Sequence, residues 1–98
     1  AYLGVVTADL STEAIQMYDM PEGAFVIRVE KNSAAGKAGI QKGDIIVSFD
    51  GQTVSGKDDL ENKLAYYASG ETVDVVVSRA DNGEYVQKTI SVTLGSKN

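Results

Sequence analysis

The chain has 98 residues, 43% of them hydrophobic and 23% charged, enough for one core and too few for two. With 9 basic against 14 acidic residues the net charge is -5, which leaves no electrostatic footprint for nucleic acid or for an anionic membrane surface. Cysteine and histidine are both absent, which excludes disulfides, thiolate and imidazole metal sites, and any Ser/His/Asp or Cys/His triad.

The first apolar stretch, Leu3 to Ala8, reads as a strand interrupted by Gly4. A glycine inside a strand marks a bulge, a bend, or a place where another backbone or a ligand comes close. Ser11 then caps a short helix with Ile15 and Tyr18 on one face, stopped by the turn Met20-Pro21-Glu22-Gly23. Ala24 to Val29 is a strand with Phe25, Ile27 and Val29 on one side. Ser33 to Gly39 suits one or two helical turns ended by a glycine C-cap. Asp44 to Phe49 is a strand, and Asp50-Gly51 is the preferred dipeptide of a tight hairpin turn.

The longest helix is predicted from Lys57 to about Ala68, started by Ser55 with Asp58 as a variant capping box and ended by Ser69-Gly70. Leu60, Leu64 and Tyr67 form its apolar stripe. A final hairpin follows: Thr72 to Val77 with Val73, Val75 and Val77 alternating, a turn at Asp81-Asn82-Gly83, and Tyr85 to Leu94 with Ile90, Val92 and Leu94 alternating. Beyond it, Gly95-Ser96-Lys97-Asn98 is a polar tail. These elements predict an α+β domain in which five or six strands curl into a partly open barrel, capped by one long and one or two short helices. No repeat, low-complexity segment or linker divides the chain, so residues 1–98 read as one domain. The strand already under way at Tyr2 reads as a piece excised from something longer. Apolar runs such as Gly23 to Ile27 are too short to cross a bilayer, and no membrane insertion by this stretch is expected.

Asp58, Asp59 and Glu61 crowd the start of the long helix, where the dipole favours negative side chains whether or not a cation binds. Asp81-Asn82-Gly83-Glu84 resembles a fragment of a calcium loop with the other ligand positions unfilled, and a hairpin turn explains it better. Gly36, Gly39 and Gly43 lack the Lys-Ser/Thr pair of a phosphate cradle. No catalytic residue, metal or cofactor is expected. What remains is geometric. If the strand after Gly4 lies at a sheet edge beside the long helix, an extended peptide can pair with it, and the N–H groups of Leu3, Gly4 and Val5 can converge on a terminal carboxylate. Leu3 and Val5, two apart, would floor an apolar pocket.

The segment from Ser33 to Gly51, with a short helix, Ala38-Gly39-Ile40, Gly43-Asp44, Ile45 and Asp50-Gly51 in that order, resembles the core motif of PDZ domains. Asp59-Leu60 with Leu64, Gly70 before a valine-rich strand, and Val77-Ser78-Arg79 resemble the second half of the same domain. With the Tyr2-Leu3-Gly4-Val5 loop first and a closing strand last, the bacterial permuted order, nearly the whole chain is similar to the PDZ domains of HtrA/DegP-like (trypsin-like) serine proteases. One departure is Ser33-Ala34-Ala35, where that family often has Ser-Pro-Ala.

The resemblance implies that Tyr2, Leu3, Gly4 and Val5 form the carboxylate-binding loop and that Val5, Val6 and Thr7 are the strand a ligand augments. Glu61, Leu64 and Ala65 would line the groove from the helix, although spacing also allows Leu60, Leu64 and Tyr67 to be wholly core. A glutamate there would disfavour acidic ligand side chains and tolerate basic ones. Gly4 is then expected to turn its amides toward a carboxylate, and Gly4→Val to weaken binding with a modest effect on stability. The implied function is capture of protein C-termini or exposed hydrophobic segments, for substrate recognition or regulation of a serine endopeptidase attached in cis. Such a parent would serve protein quality control in a bacterial envelope or outside the cell, anchored or exported. The alternatives are a structural docking domain within a protease oligomer, or the PDZ domain of an intramembrane metalloprotease or tail-specific protease.

Overall fold

A computed structural model describes residues 2–95, so the rest of the expected polar tail lies outside the described residues. Local turn chemistry sets much of it. Asn82 and Gly83 both take positive φ, 52° and 83°, the requirement of a type I′ turn, and close β5 (Thr72–Asp81) onto β6 (Glu84–Thr93) in continuous register from Asp81↔Glu84 to Thr72↔Thr93. Asp50 and Gly51, at 51° and 78°, do the same for β3 (Ile45–Phe49) and β4 (Gln52–Thr53). The two short helices are capped by their own neighbours. Ser11 accepts the Ala14 N–H to begin α1 (Thr12–Tyr18). Ser33 accepts the Gly36 N–H to begin α2 (Ala34–Ala38), and Gly39 at φ 100° ends it by donating to the carbonyls of Ala35 and Gly36.

With β1 (Val5–Asp9) and β2 (Ala24–Val29), the strands form one six-stranded antiparallel sheet of order β1-β2-β3-β5-β6, with β4 attached to β3. The expected barrel is thus a sheet that does not close. Its two edges meet at one point, where Tyr2 and Gly95 exchange N–H···O bonds of 2.8 and 3.1 Å. Val26, Ile46, Phe49, Val75 and Val92 fill the concave side, and Leu60 of α3 (Lys57–Leu64) seals it at 1% exposure. Each such side chain contributes about 1.5–3 kcal/mol when fully buried. Among the described residues no helix is long and apolar enough to cross a membrane.

Four local expectations need correction. Strand β1 starts at Val5, so Gly4 precedes the strand and does not interrupt it. In β2 the core side is Ala24 and Val26, both 0% exposed, while Ile27 is 43% exposed. Its partners jump from Arg28 at Val6 to Val26 at Thr7, leaving Ile27 as the extra residue of a bulge, and a bulge breaks the simple alternation read from Phe25, Ile27 and Val29. Tyr18 lies 66% exposed, off the half-buried face that carries Ile15. Helix α3 ends at Leu64, short of Ala68, and its cap is Gly56, with no capping bond from Ser55. Ser55 instead donates its own N–H to the Asp59 carboxylate at 2.9 Å.

Candidate functional site

The N-terminal loop is pinned through its carbonyls. Leu3 C=O accepts the Ala35 N–H at 2.9 Å, from the first turn of α2, and Gly4 C=O accepts the Glu30 N–H at 2.8 Å. Tyr2 adds a hydrogen bond from its hydroxyl to the Glu30 carboxylate. With these acceptors spent inward, the N–H groups of Leu3 and Gly4 have no acceptor among the described residues. Successive unpaired loop donors are the raw material of an anion site.

Gly4 is fixed by two constraints, and neither is a ligand. Its φ of +89° is strained for any residue with a side chain. A Cβ there would overlap Ser33, the capping residue of α2, so the missing side chain makes room for the protein's own helix. The close approach expected at Gly4 is therefore made by Ser33.

Strand β1 is a sheet edge, bonded to β2 on one side only. The Glu30-to-Gly4 bond fixes the phase of the ladder: one residue on, Val5 turns its N–H and C=O away from β2. Alternation does the same for Thr7 and Asp9. The open side faces α3, and the two walls enclose a cavity of about 310 Å³ lined by Tyr2, Leu3, Gly4, Val5 and Thr7 from one side and Leu60, Glu61, Leu64 and Ala65 from the other. A cleft of about 420 Å³ beside Gln52, Asn62 and Tyr66 borders only the two-residue strand β4.

Helix α3 is held in place at both ends. The Phe49 and Tyr67 rings meet edge to face at a centroid distance of 5.1 Å and 87°, and the Tyr67 hydroxyl donates to Asp50 at 2.6 Å. That bond is the main reason the Tyr67 pKa is raised, with burial and the nearby carboxylates adding to it. At the other end the Lys57 N–H donates to Asp9 Oδ1 of β1 at 2.8 Å, a cap supplied from 48 residues away. On the outer face Lys63 donates to Asp59 at 2.8 Å, which, together with the Ser55 N–H, lowers the Asp59 pKa. Glu61 stays exposed at the groove.

The structure thus gathers Tyr2, Leu3, Gly4, Val5, Thr7, Glu61, Leu64 and Ala65 around one cavity. Val6 does not line it, because strand alternation turns its side chain to the other face. Leu60 lines the cavity although the sequence also allowed it to be wholly core, and Tyr67 lies on the far side against Phe49. Asp9, Glu30 and Ser33, which fix the walls and the loop, carry no local sequence signal for those roles.

Comparison with known proteins agrees with this architecture. Residues 1–94 match the family model described as PDZ domain. A probable periplasmic serine endoprotease DegP-like from Marinomonas sp. (strain MWYL1) is 36% identical over 99 residues, covering 99% of this chain and 20% of the relative. The protein of the same description from Halomonas elongata is 30% identical over 96 residues, covering 96% of this chain and 19% of its own length. The chain therefore spans about a fifth of these relatives. Among solved structures, the HtrA-type protease AlgW with decapeptide superposes with a TM-score of 0.74 at 29% identity, over 99% of this chain and 30% of that one. The HtrA3 PDZ domain bound to a phage-derived ligand (FGRWV) gives a TM-score of 0.75 at 21% identity, over 94% and 82%, a likeness of fold. On the family match across residues 1–94, this chain belongs to the PDZ domain family.

Proposed function

We propose that the chain is one PDZ domain of a longer HtrA/DegP-like serine endoprotease of the bacterial envelope, and that it captures the C-termini of polypeptides for that protease. The observation that carries this is the loop's division of labour: the carbonyls of Leu3 and Gly4 are tied inward while their N–H groups stand unpaired at the mouth of an apolar groove along an open strand. A carboxylate seated there gains charge-assisted hydrogen bonds from donors already in place. The peptide behind it runs antiparallel to β1, its last residue opposite Val5 and its third-from-last opposite Thr7. Periplasmic location and endoprotease activity in the relatives' descriptions, and the peptides in the AlgW and HtrA3 structures, support the reading.

The walls also suggest what the peptide carries. From Lys57 to Ala65 the helix rises about 12 Å, and from Val5 to Asp9 the strand advances about 14 Å. Lys57 sits at Asp9, so Ala65 faces the ligand's last residue and Glu61, halfway, its third-from-last. Leu3, Leu64 and Ala65 therefore select an apolar terminal side chain, and Glu61 favours lysine or arginine two residues before it.

The test is a titration of the isotope-labelled domain with an apolar peptide bearing either a free or an amidated C-terminus. Amide shifts at Leu3 to Thr7 with the free acid, and loss of most affinity on amidation, are expected. Equal binding of both forms removes the carboxylate from the site, and no shift with either removes the groove.

A further inference from the structure

The groove has a closed end. Asp9, the last residue of β1, reaches across to α3 and accepts the Lys57 N–H at 2.8 Å. Gly56 makes the approach possible, since a Cβ there would lie 2.5 Å from the same carboxylate oxygen. At this level the two walls are separated by one short side chain and one hydrogen bond. An added strand lies about 4.8 Å from its neighbour and needs further room for side chains pointing at the helix. The bridge leaves no such room, whereas two residues earlier, at Thr7, the cavity is open.

We infer that the Asp9–Lys57 bridge is a length stop. The groove takes the last three residues of a chain in extended pairing, opposite Val5 to Thr7, and turns the preceding residues out to solvent. The inference rests on the reading of the groove as a peptide site and sharpens it. The pinned loop at Leu3–Gly4 blocks one end and the bridge blocks the other, so an internal segment has no path through. The site selects chain ends over exposed loops by geometry, in addition to the pull of the loop on a carboxylate. Asp9 acts here as a positioning residue, since it touches the wall and not the ligand.

The experiment uses peptides of three, five and seven residues that share their last three, binding to the wild-type chain, Asp9→Ala and Asp9→Asn. Asparagine keeps an oxygen acceptor for the Lys57 N–H and alanine removes it. In the wild type and Asp9→Asn the three affinities should agree within about twofold, while in Asp9→Ala the seven-residue peptide should bind about fivefold tighter than the shortest, the gain of one added pair of backbone hydrogen bonds. Amide exchange gives the second readout: a long peptide should protect the outward N–H groups of Val5 and Thr7 in the wild type and leave that of Asp9 exchanging, with Asp9→Ala extending protection to position 9. Protection of the Asp9 amide in the wild type, or affinity that climbs equally with length in all three proteins, overturns the stop while the groove stands. If no peptide protects Thr7 in any of them, the groove reading itself fails and the stop falls with it.

Discussion

The carboxylate of Asp44 and the guanidinium of Arg79 meet in a two-point ion pair, Nε to Oδ1 at 2.9 Å and Nη2 to Oδ2 at 2.7 Å. Asp44 is 1% exposed and takes a third hydrogen bond from the Gln41 N–H at 2.9 Å, while Arg79 also donates to the Gly39 carbonyl at 3.0 Å. The pair fastens the turn after α2 to β5, and the hydrogen bond to Asp44 is the main reason the Arg79 pKa is raised. Removing one partner leaves a buried charge uncompensated. Arg79→Ala is expected to destabilise the fold by about 3–5 kcal/mol in urea unfolding. A loss below about 1 kcal/mol, the level of a surface pair, would contradict the assignment.

Gly4 yields a prediction opposite to the one its sequence context invites. Because Ser33 occupies the space of the missing Cβ and φ is +89°, Gly4→Ala should cost about 2–4 kcal/mol of stability. Combining it with Ser33→Gly, itself a small capping loss, should recover the steric part and leave about 1 kcal/mol for the backbone strain. Additive losses in the double variant would show that Ser33 is not the obstacle. Affinity changes in Gly4 variants are interpretable only after this stability loss is measured.

Charge reversal at the groove should reverse a preference. Peptides with lysine third from the end are expected to bind wild type about two- to fivefold better than the same peptides with glutamate, the range of an exposed charge pair. Glu61→Lys should invert that order and leave unfolding within about 0.5 kcal/mol of wild type. The preference should also shrink with added salt. An unchanged ratio in Glu61→Lys would remove Glu61 from ligand contact.

The Tyr67–Asp50 bond predicts a pH effect with a definite sign. The folded pKa of Tyr67 is raised above the usual 10.0, so the stabilisation it links to is fully present below that value and is lost as pH rises through the folded pKa. Stability curves of wild type and Tyr67→Phe should differ below about pH 10 and converge above it. A gap that stays constant to the most alkaline pH at which both remain folded would exclude the coupling.

What the sequence made legible is what the chain decides within a few residues. The Asp50-Gly51 and Asn82-Gly83 turns, the Ser11 cap of α1, the Gly39 cap of α2, and the burial of Val73, Val75 and Val77 follow from short-range chemistry. The inward side of β2 was not legible, because the set Phe25, Ile27 and Val29 is more apolar than Ala24, Val26 and Arg28, and the bulge at Ile27 is set by pairing with β1. The real partner of the α3 N-terminus was hidden for a similar reason: Ser55 lies next to the helix, but the capping oxygen comes from Asp9 across the groove. At the candidate site, spacing identified the loop and edge strand as possible walls. It left the helix face open, since Leu60 and Leu64 serve the core and the cavity together.

Tyr2 and Gly95 exchange both of their backbone hydrogen bonds, so the two described ends of the chain lie side by side. Joining them with a short linker and reopening the chain between Asn82 and Gly83 would carry β6 from last place to first while every strand kept its neighbours. The groove, its pinned loop and its closed end would be rebuilt from the same contacts. The order in which the gene writes these strands is therefore incidental to the groove, which depends on which edge of the sheet is left unpaired and on what stands opposite it.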